Sequence, residues 1–460
     1  MPDYDIVVVG AGPGGYVAAI RAGQLGLKTA VGERDELGGI CLNWGCIPTK
    51  ALLRNAEVVE LLHRAGEFGI SFDNLQIDYG KAVDRSRKVV STLTRGVAGL
   101  LRKNKVEHIK GEARFRDAHM LEVSPSGRAI TASNIIIATG TRPRSIPGLQ
   151  VDGQRLITSR EALELRQVPQ RIAIIGGGAT GAEFAYLYNA YGAEVTIVEM
   201  LPHLLPNEDE EISLLLERSF TRQGIKFLTG ARVKAATKAT DMVRLEVEQK
   251  GETTPLEAEQ VLVAVGVQAN SDGLGLERIG VTLERGNIKV DGSMATNVPG
   301  VYAIGDVTGI LLLAHVAQAQ GVLAVERIAG KDSPALNYEM MPKATYCHPQ
   351  VTSFGLTEKQ AIERGHEVKV GRFPFQASGK AQAIGDVEGM VKVVADKAYG
   401  ELLGVHMIGP DVTEMLGEMS LARLLEGTTR EVGWLVHSHP TLSEALKEAA
   451  LDADGQAIHI

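Results

Sequence analysis

Short unbroken apolar runs that close on glycine recur along this chain, and two of them open the same longer pattern. IVVVG at residues 6–10 and IAIIG at residues 172–176 each lead into G-x-G-x-x-G and then into an amphipathic stretch. A short apolar run bounded by a turn signal predicts a buried strand, and helical spacing after it predicts a helix. Each copy therefore predicts strand, tight turn and helix, with Gly10, Gly12 and Gly15 in the first and Gly176, Gly178 and Gly181 in the second. The next strand ends on an acid in both copies, Glu33 and Glu199, each 23 residues after the first glycine (33 − 10 and 199 − 176).

A lone G-x-G-x-x-G is a weak signal; two copies with matched context and matched acids predict two dinucleotide-binding domains in tandem. The first glycine permits the turn, the second lets backbone approach a pyrophosphate, and the third lets helix pack on strand, while the helix N-terminal amides face the phosphates. Glu33 and Glu199 would accept hydrogen bonds from ribose hydroxyls. Their plainer reading is as exposed carboxylates at strand ends.

Two further runs, NIIIATGTRP (134–143) and QVLVAVGVQAN (260–270), read as buried strands ending in glycine, one after each unit. VPGVYAIGDVTG (298–309) is a third, which suggests that the chain returns to the first domain after completing the second. Beyond residue 343 the pattern changes. VKVGRFPF, GMVKVVAD and LLGVHMIG predict antiparallel strands, and helices are predicted near 411–427 and 441–452. The fold class is α/β, with two tandem Rossmann-like domains and a C-terminal α+β domain. The boundaries are residues 1–148 for the first domain, 149–270 for the second, 271–342 for the return segment and 343–460 for the last.

Composition narrows the function. The chain's 460 residues accommodate three domains at about 150 residues each. A formal net charge of −8 and the lack of a long Lys/Arg run argue against nucleic acid or an anionic membrane as partner. The acidic start MPDYD does not read as a secretion signal, and GILLLAHVAQAQGVLAV is broken by His315, Gln318 and Gln320, so no membrane span is expected. The expected location is cytoplasmic. In such a reducing compartment the close pair Cys41 and Cys46 is catalytic or metal-binding more often than structural. A zinc clip from Cys41, Cys46, Cys347 and His348 has poor spacing, because adjacent residues rarely share a tetrahedral ion, and no metal site is expected. Cys347 reads as a quiet thiol.

GGICLNWGCIPTK (38–50), the two glycine motifs, ATGTRP, YAIGDVTG and HSHPTLSEA stand in one order along the chain. Together they resemble the flavin-dependent pyridine nucleotide disulfide oxidoreductases, over essentially the whole length. The resemblance implies FAD in the first domain and NAD in the second, and it makes the C-terminal domain a dimerisation domain. Within the family the pattern is most similar to the enzymes that oxidise protein-bound dihydrolipoyl groups to the lipoyl disulfide and reduce NAD+. For FAD it implies Gly10, Gly12, Gly15, Glu33, Lys50, Ala113, Thr139, Gly140, Asp306 at the ribitol, and Leu312, Leu313, Ala314 and His315. For NAD it implies Gly176, Gly178, Gly181, Glu183 (the partner of Lys50), Glu199, Val233 and Gly266. Glu199 would repel a 2'-phosphate, and MLPHLLPNED after it carries no arginine to receive one, which favours NAD over NADP.

The resemblance also makes Cys41–Cys46 a redox disulfide, with Cys46 facing the flavin and Cys41 exchanging with substrate. A regular helix separates residues five apart by about 7.5 Å, beyond the reach of a disulfide at roughly 7 Å, so a bridge here requires a distorted helix, which Gly45 and Pro48 would permit. His439 is the implied base and Glu444 its partner, although T-L-S-E (441–444) also reads as a capping box. His437 reads as supporting, and Pro440 as keeping His439 extended. The family completes each site with the His/Glu pair of a second subunit, so a homodimer is expected. The implied partner is the lipoyl-bearing acyltransferase of a 2-oxoacid dehydrogenase complex, through its peripheral subunit-binding domain, or the lipoyl protein of glycine cleavage. The alternatives are another FAD-dependent disulfide reductase and a non-catalytic scaffold subunit. Two stretches depart from the family pattern: Val267 and Ala269 stand where arginine and proline are usual, and AHVAQAQG is neutral where charges are usual.

Overall fold

The computed structural model describes residues 1–146 and 148–460. They form two compact units, one of Met1–Ala51, Lys81–Arg144 and Gly266–Tyr338, the other of Leu52–Gly80, Ser145–Val265 and Glu339–Ile460.

The first unit is built on a sheet whose parallel part runs Glu107–Lys110, Thr29–Glu33, Tyr4–Val9, Arg128–Ile137 and Val301–Ala303. Ile6, Val7 and Val8 are all fully buried, so this strand is covered on both faces, which is why it reads as a continuous apolar run rather than an alternating one. The pairing of Val301–Ala303 with Ile135–Ile137 brings the chain back to the first unit, as the third glycine-terminated run suggested. Arg128–Ile137 has two roles: its first half pairs antiparallel with Met120–Val123, and its second half lies parallel to Tyr4–Val9.

The second unit holds a five-stranded parallel sheet in the order Lys226–Leu228, Glu194–Val198, Arg171–Ile175, Gln260–Val263 and Leu156–Ile157. Beside it stand three antiparallel strands, Ala231–Lys238, Val243–Gln249 and Glu252–Ala258. Its C-terminal part is an antiparallel sheet in the order Lys343–Thr345, Gln350–Gly355, Leu402–Gly409, Met390–Asp396 and Val368–Pro374. The helices Val412–Leu424 and Glu444–Ala453 pack Met415, Leu416, Met419, Leu446 and Ala449 against Val391, Val393, Val405 and Met407.

Three sequence readings are corrected. The runs 134–143 and 260–270 are each two strands rather than one, and their second halves, Thr141–Pro143 and Val267–Ala269, pair with each other. Gly140 at φ +67° and Gly266 at φ +94° break the runs, in a region of backbone space that apolar side chains avoid. The C-terminal sheet also gains Lys343–Thr345 and Gln350–Gly355; the second is buried almost throughout and shows no alternation to read.

Candidate redox and dinucleotide sites

The two glycine motifs have one geometry, repeated 166 residues apart (176 − 10 and 199 − 33). Gly10 and Gly176 take φ +103° and +109°, and a Cβ on either would stand 2.4 Å from the carbonyl oxygen of Ala138 or Ala264. A Cβ on Gly15 would stand 1.9 Å from Gly10 O, and one on Gly181 1.9 Å from Gly176 O, so the third glycine is the helix-to-turn contact. Around the middle glycines, Gly12 and Gly178, nothing lies within 4 Å of an added Cβ. Those open positions sit at the N-caps of the helices Pro13–Gln24 and Ala179–Ala190, where unpaired amides favour a phosphate.

The acids repeat as well. Glu33 accepts the amide of Ala11 at 2.8 Å through one oxygen and that of Asp35 at 2.8 Å through the other. Glu199 accepts the amides of Gly177 at 2.6 Å and Leu201 at 2.7 Å. Each carboxylate thus ties the strand end to the glycine turn, a structural duty that the sequence reading missed. An ionised carboxylate has further lone pairs, so ribose binding stays compatible with both. The open middle glycines, the cap amides and the anchored acids fit a dinucleotide in each unit.

The cysteine segment is built directly on the first motif. Gly38 (φ +93°) and Gly39 (φ +58°) start the helix Gly39–Trp44, and a Cβ on Gly39 would lie 2.7 Å from the Cα of Gly12. The amide of Gly38 also donates to Ala11 O at 2.9 Å. Two glycines are therefore required for the cysteine helix to press its backbone against the dinucleotide turn. The helix stops at Gly45 (φ −143°, ψ −115°) and a new one, Cys46–His63, begins at the second cysteine. This break brings the Cα atoms of Cys41 and Cys46 to 4.7 Å, and the two are joined as a disulfide. Pro48 falls in the first turn of the new helix, where its missing N–H costs nothing. Asn43 is buried and donates through Nδ2 to Leu37 O (3.0 Å) and Gly39 O (2.9 Å), while Arg87 donates to Asn43 O at 2.8 Å. Both cysteines are half-buried, as is Lys50 one turn beyond Cys46.

Asp306 follows Gly305 (φ +72°) in a short 3-10 turn and receives the Thr141 hydroxyl at 3.2 Å. Burial pushes its carboxyl up from the ordinary range, against the smaller opposing effect of that hydrogen bond. Leu312 and Leu313 lead into the helix Ala314–Ile328, which carries His315 in its first turn. Thr139 Oγ1 donates to Asn270 O at 2.8 Å, and Ala113 is buried in a core strand. Cys41, Cys46, Lys50 and all the residues expected at FAD lie in the first unit, with Gly266 at the start of its last segment.

The second unit holds the remaining expected residues. Glu183 is buried and accepts the amide of Tyr346 at 3.0 Å, a contact with no sequence signal because a backbone amide makes it. Val233 is half-buried in the strand Ala231–Lys238. Departing Val267 and Ala269 act through their carbonyls, which accept from Arg144 (3.4 Å) and Arg142 (3.0 Å).

His439 Nδ1 lies 2.9 Å from Glu444 Oε1, and its ring is exposed. The second oxygen of Glu444 accepts the Thr441 amide at 2.8 Å, while the Thr441 hydroxyl donates instead to Ser438 O at 2.8 Å. The expected capping box is therefore not formed: the helix Glu444–Ala453 has Ser443 at its N-cap with no side-chain cap bond, and Glu444 instead holds the Thr441 amide in the preceding turn together with the histidine. Burial opposes ionisation of Glu444, but the Thr441 amide and His439 outweigh it and hold its pKa below the ordinary value. The His439–Pro440 peptide is cis. His437 is turned away to Glu418, at 2.8 Å. Cys347 is buried, not disulfide-bonded, and its Sγ lies 3.3 Å from Pro349 O. Among the described residues no cluster of three or more His, Cys, Asp or Glu could hold a metal ion, and no helix is long and apolar enough to cross a membrane.

Residues 4–321 match the pyridine nucleotide-disulphide oxidoreductase family, and residues 341–450 match the dimerisation domain of the same family. The chain belongs to this family, as the glycine repeats and the bridged cysteines on the first of them indicate. It is 46% identical to a dihydrolipoyl dehydrogenase of Bacillus subtilis (strain 168), over 99% of both chains. It is 50% identical to a dihydrolipoyl dehydrogenase of Mycobacterium leprae (strain TN), over 97% of each. The crystal structure of LpdA from Mycobacterium tuberculosis is similar with a TM-score of 0.91 at 28% identity, covering 97% of this chain and 98% of that one. The flavoprotein disulfide reductase RclA from Escherichia coli is similar with a TM-score of 0.87 at 26% identity, covering 97% and 99%.

Proposed function

We propose that this protein is an NAD-dependent dihydrolipoyl dehydrogenase, a homodimer that oxidises protein-bound dihydrolipoyl groups. The observation that carries the reading is the Cys41–Cys46 disulfide, seated on the Gly12 turn of the first dinucleotide motif. A bridge placed there has a use in electron transfer that a structural staple would not need.

The residues divide the work. His439, with Nδ1 held by Glu444, has Nε2 available to take a proton from a substrate thiol. The resulting thiolate attacks Cys41 Sγ, forming a mixed disulfide and releasing Cys46 as a thiolate. The second substrate thiol, deprotonated in turn, attacks its own bridged sulfur, closes the lipoyl disulfide and frees Cys41. Two electrons and two protons leave the dithiol, and the enzyme pair is reduced. Cys46 begins a helix, where the unpaired amides stabilise its thiolate. When bound, FAD would supply the two-electron acceptor for the reduced pair, with NAD+ as the final hydride acceptor.

Gly10, Gly12, Gly15, Glu33, Lys50, Ala113, Thr139, Gly140, Asp306 and Leu312 to His315 would hold FAD. Gly176, Gly178, Gly181, Glu183, Glu199, Val233 and Gly266 would hold NAD. The cysteines and the His/Glu pair lie in different units of the chain, and the pair of one subunit would serve the cysteines of the other. The partner is a lipoyl-bearing acyltransferase or another lipoyl protein, in the cytoplasm, where a reducing milieu suits a disulfide that must cycle. Anaerobic titration with dihydrolipoamide tests the reading. It should produce a long-wavelength thiolate-to-flavin band that NAD+ discharges; no band, or a requirement for NADP+, refutes it.

A further inference from the structure

Inside the helix Ala314–Ile328 one polar side chain is fully buried. Gln320 has 0% exposure and shares its face with Val316, Leu323 and Ala324, positions where the helical register calls for an apolar residue. Its Oε1 accepts the amide of Gly305 at 2.6 Å, and its Nε2 donates to the Tyr338 hydroxyl at 3.0 Å. Tyr338 in turn directs its hydroxyl to Met294 Sδ at 3.9 Å. Both ends of the amide are therefore used, in a place where an unpaired polar group is costly.

Gly305 immediately precedes Asp306. At φ +72° it is held in a conformation that favours glycine, and a Cβ there would lie 3.1 Å from that of Ala317. Only Gln320 bonds its amide to the helix. Between Val316 and Val325 the helix has no charged residue, and its first turn has no acid. A glutamate at 320 could accept from both Gly305 N–H and Tyr338 O–H, so hydrogen-bond geometry alone does not call for an amide. What the amide adds is neutrality beside a turn whose Asp306 is itself buried enough to resist ionisation. A buried negative charge at 320 would oppose the arrival of electrons at a bound flavin, because low-dielectric surroundings screen it poorly.

We infer that Gln320 is a positioning residue for the flavin: it fixes the Gly305–Asp306 turn without adding a charge there, which keeps the flavin's reduction potential above the one an acid at 320 would give. The inference rests on FAD occupying the first unit. It is tested by Gln320→Glu and Gln320→Leu, measuring FAD content, the Kd of the apo-protein for FAD, and the flavin midpoint potential at pH 6 and pH 9. Q320E should retain FAD. At pH 9 it should shift the oxidised-to-reduced ratio at fixed potential at least tenfold toward oxidised, about 30 mV for a two-electron couple. Q320L leaves the Gly305 amide unpaired and should weaken FAD binding tenfold or more. A wild-type potential in Q320E at both pH values overturns the inference, as does wild-type FAD affinity in Q320L or equal loss of FAD from both variants. Absence of FAD from the wild-type protein would instead refute the flavin reading itself.

Discussion

Glu444 holds His439 at 2.9 Å through one carboxylate oxygen while the other receives the Thr441 amide, so the turn leading into the last helix and the orientation of the imidazole are set by one side chain. Replacing His439 by Gln should lower the rate of dithiol oxidation by about 10²–10⁴, the usual worth of a positioned general base. Reduction of an artificial acceptor by NADH bypasses the thiols and should be unchanged. Glu444→Ala should cost less in rate but also loosen the turn before the last helix by about 0.5–1.5 kcal/mol, the net worth of a hydrogen bond. The lowered pKa of Glu444 sets the sign with pH. Its contribution to stability is present above the unfolded-state value and is lost as pH falls through the folded one, so the stability gap between wild type and E444A should be full at neutral pH and close as acid takes the pH below the ordinary carboxylate range.

The glycine motifs separate cofactor binding from packing. Gly15→Ala puts a methyl group 1.9 Å from Gly10 O, and should destabilise the first unit by about 1–3 kcal/mol or more. Gly12→Ala meets no protein atom and its φ of −65° suits alanine, so stability without cofactor should change by less than about 0.5 kcal/mol. Its FAD affinity should nevertheless fall at least tenfold, because the methyl group occupies the open space before the helix. Thermal melting and flavin fluorescence of the two variants check this; normal FAD binding by G12A would refute the cradle.

What was legible in the chain were features carried by short local patterns. The glycine spacing, the 23-residue offset to the acids and the helix break required by Cys41 and Cys46 are all local, and each has its counterpart in the structure. What was not legible depends on distant residues or on the backbone. The amide of Tyr346 on Glu183 has no side-chain signature. GMVKVVAD predicts a strand, but nothing in it shows that the strand is buried on both faces or that the partners of Lys392 come from elsewhere in the chain. Gln320 did leave a signal, a polar residue in an apolar register, which the neutral run AHVAQAQG obscured.

Lys392 carries the third prediction. Its side chain is 4% exposed, and its Nζ reaches Asp209 (2.9 Å), Glu211 (3.1 Å) and Glu358 (2.9 Å), while Arg372 joins the same two glutamates. The strand Met390–Asp396 is thereby pinned to the start of the helix Glu210–Arg222. Lys392→Met leaves the buried Asp209 without its cation and should cost about 3–5 kcal/mol. Burial works against both charges, but hydrogen bonds and neighbouring charges together outweigh it, lowering Asp209 below its ordinary 3.8 and raising Lys392 above its ordinary 10.5. The aspartate's contribution is lost as pH falls through its depressed value, and the lysine's as pH rises through its raised one. The stability difference between wild type and K392M should therefore be flat from about pH 4 to pH 10 and shrink outside that window, as denaturant titrations at several pH values would reveal.

The last prediction concerns the dimer. Leu424, Leu425, Trp434 and Val436 are 66–87% exposed on the C-terminal helices Val412–Leu424 and Thr429–Trp434 and the residues just after them. An apolar group of this kind, a few residues before His439, is a surface that a second subunit would cover. Placing charge on it, as in Leu425→Asp with Trp434→Asp, buries two carboxylates in the assembled protein but leaves an isolated subunit unaffected, since both side chains already face solvent. The double variant should sediment as a monomer at micromolar concentration and retain its secondary structure. The cysteine pair and the FAD cradle lie within one unit of a single chain, so the monomer should keep its disulfide and its dye reduction by NADH. On the proposed cross-subunit site, dithiol oxidation should fall to the level of the His439→Gln variant. A monomer that oxidises dihydrolipoamide at the wild-type rate would place His439 and Cys41 in one subunit's site and remove the functional argument for the dimer.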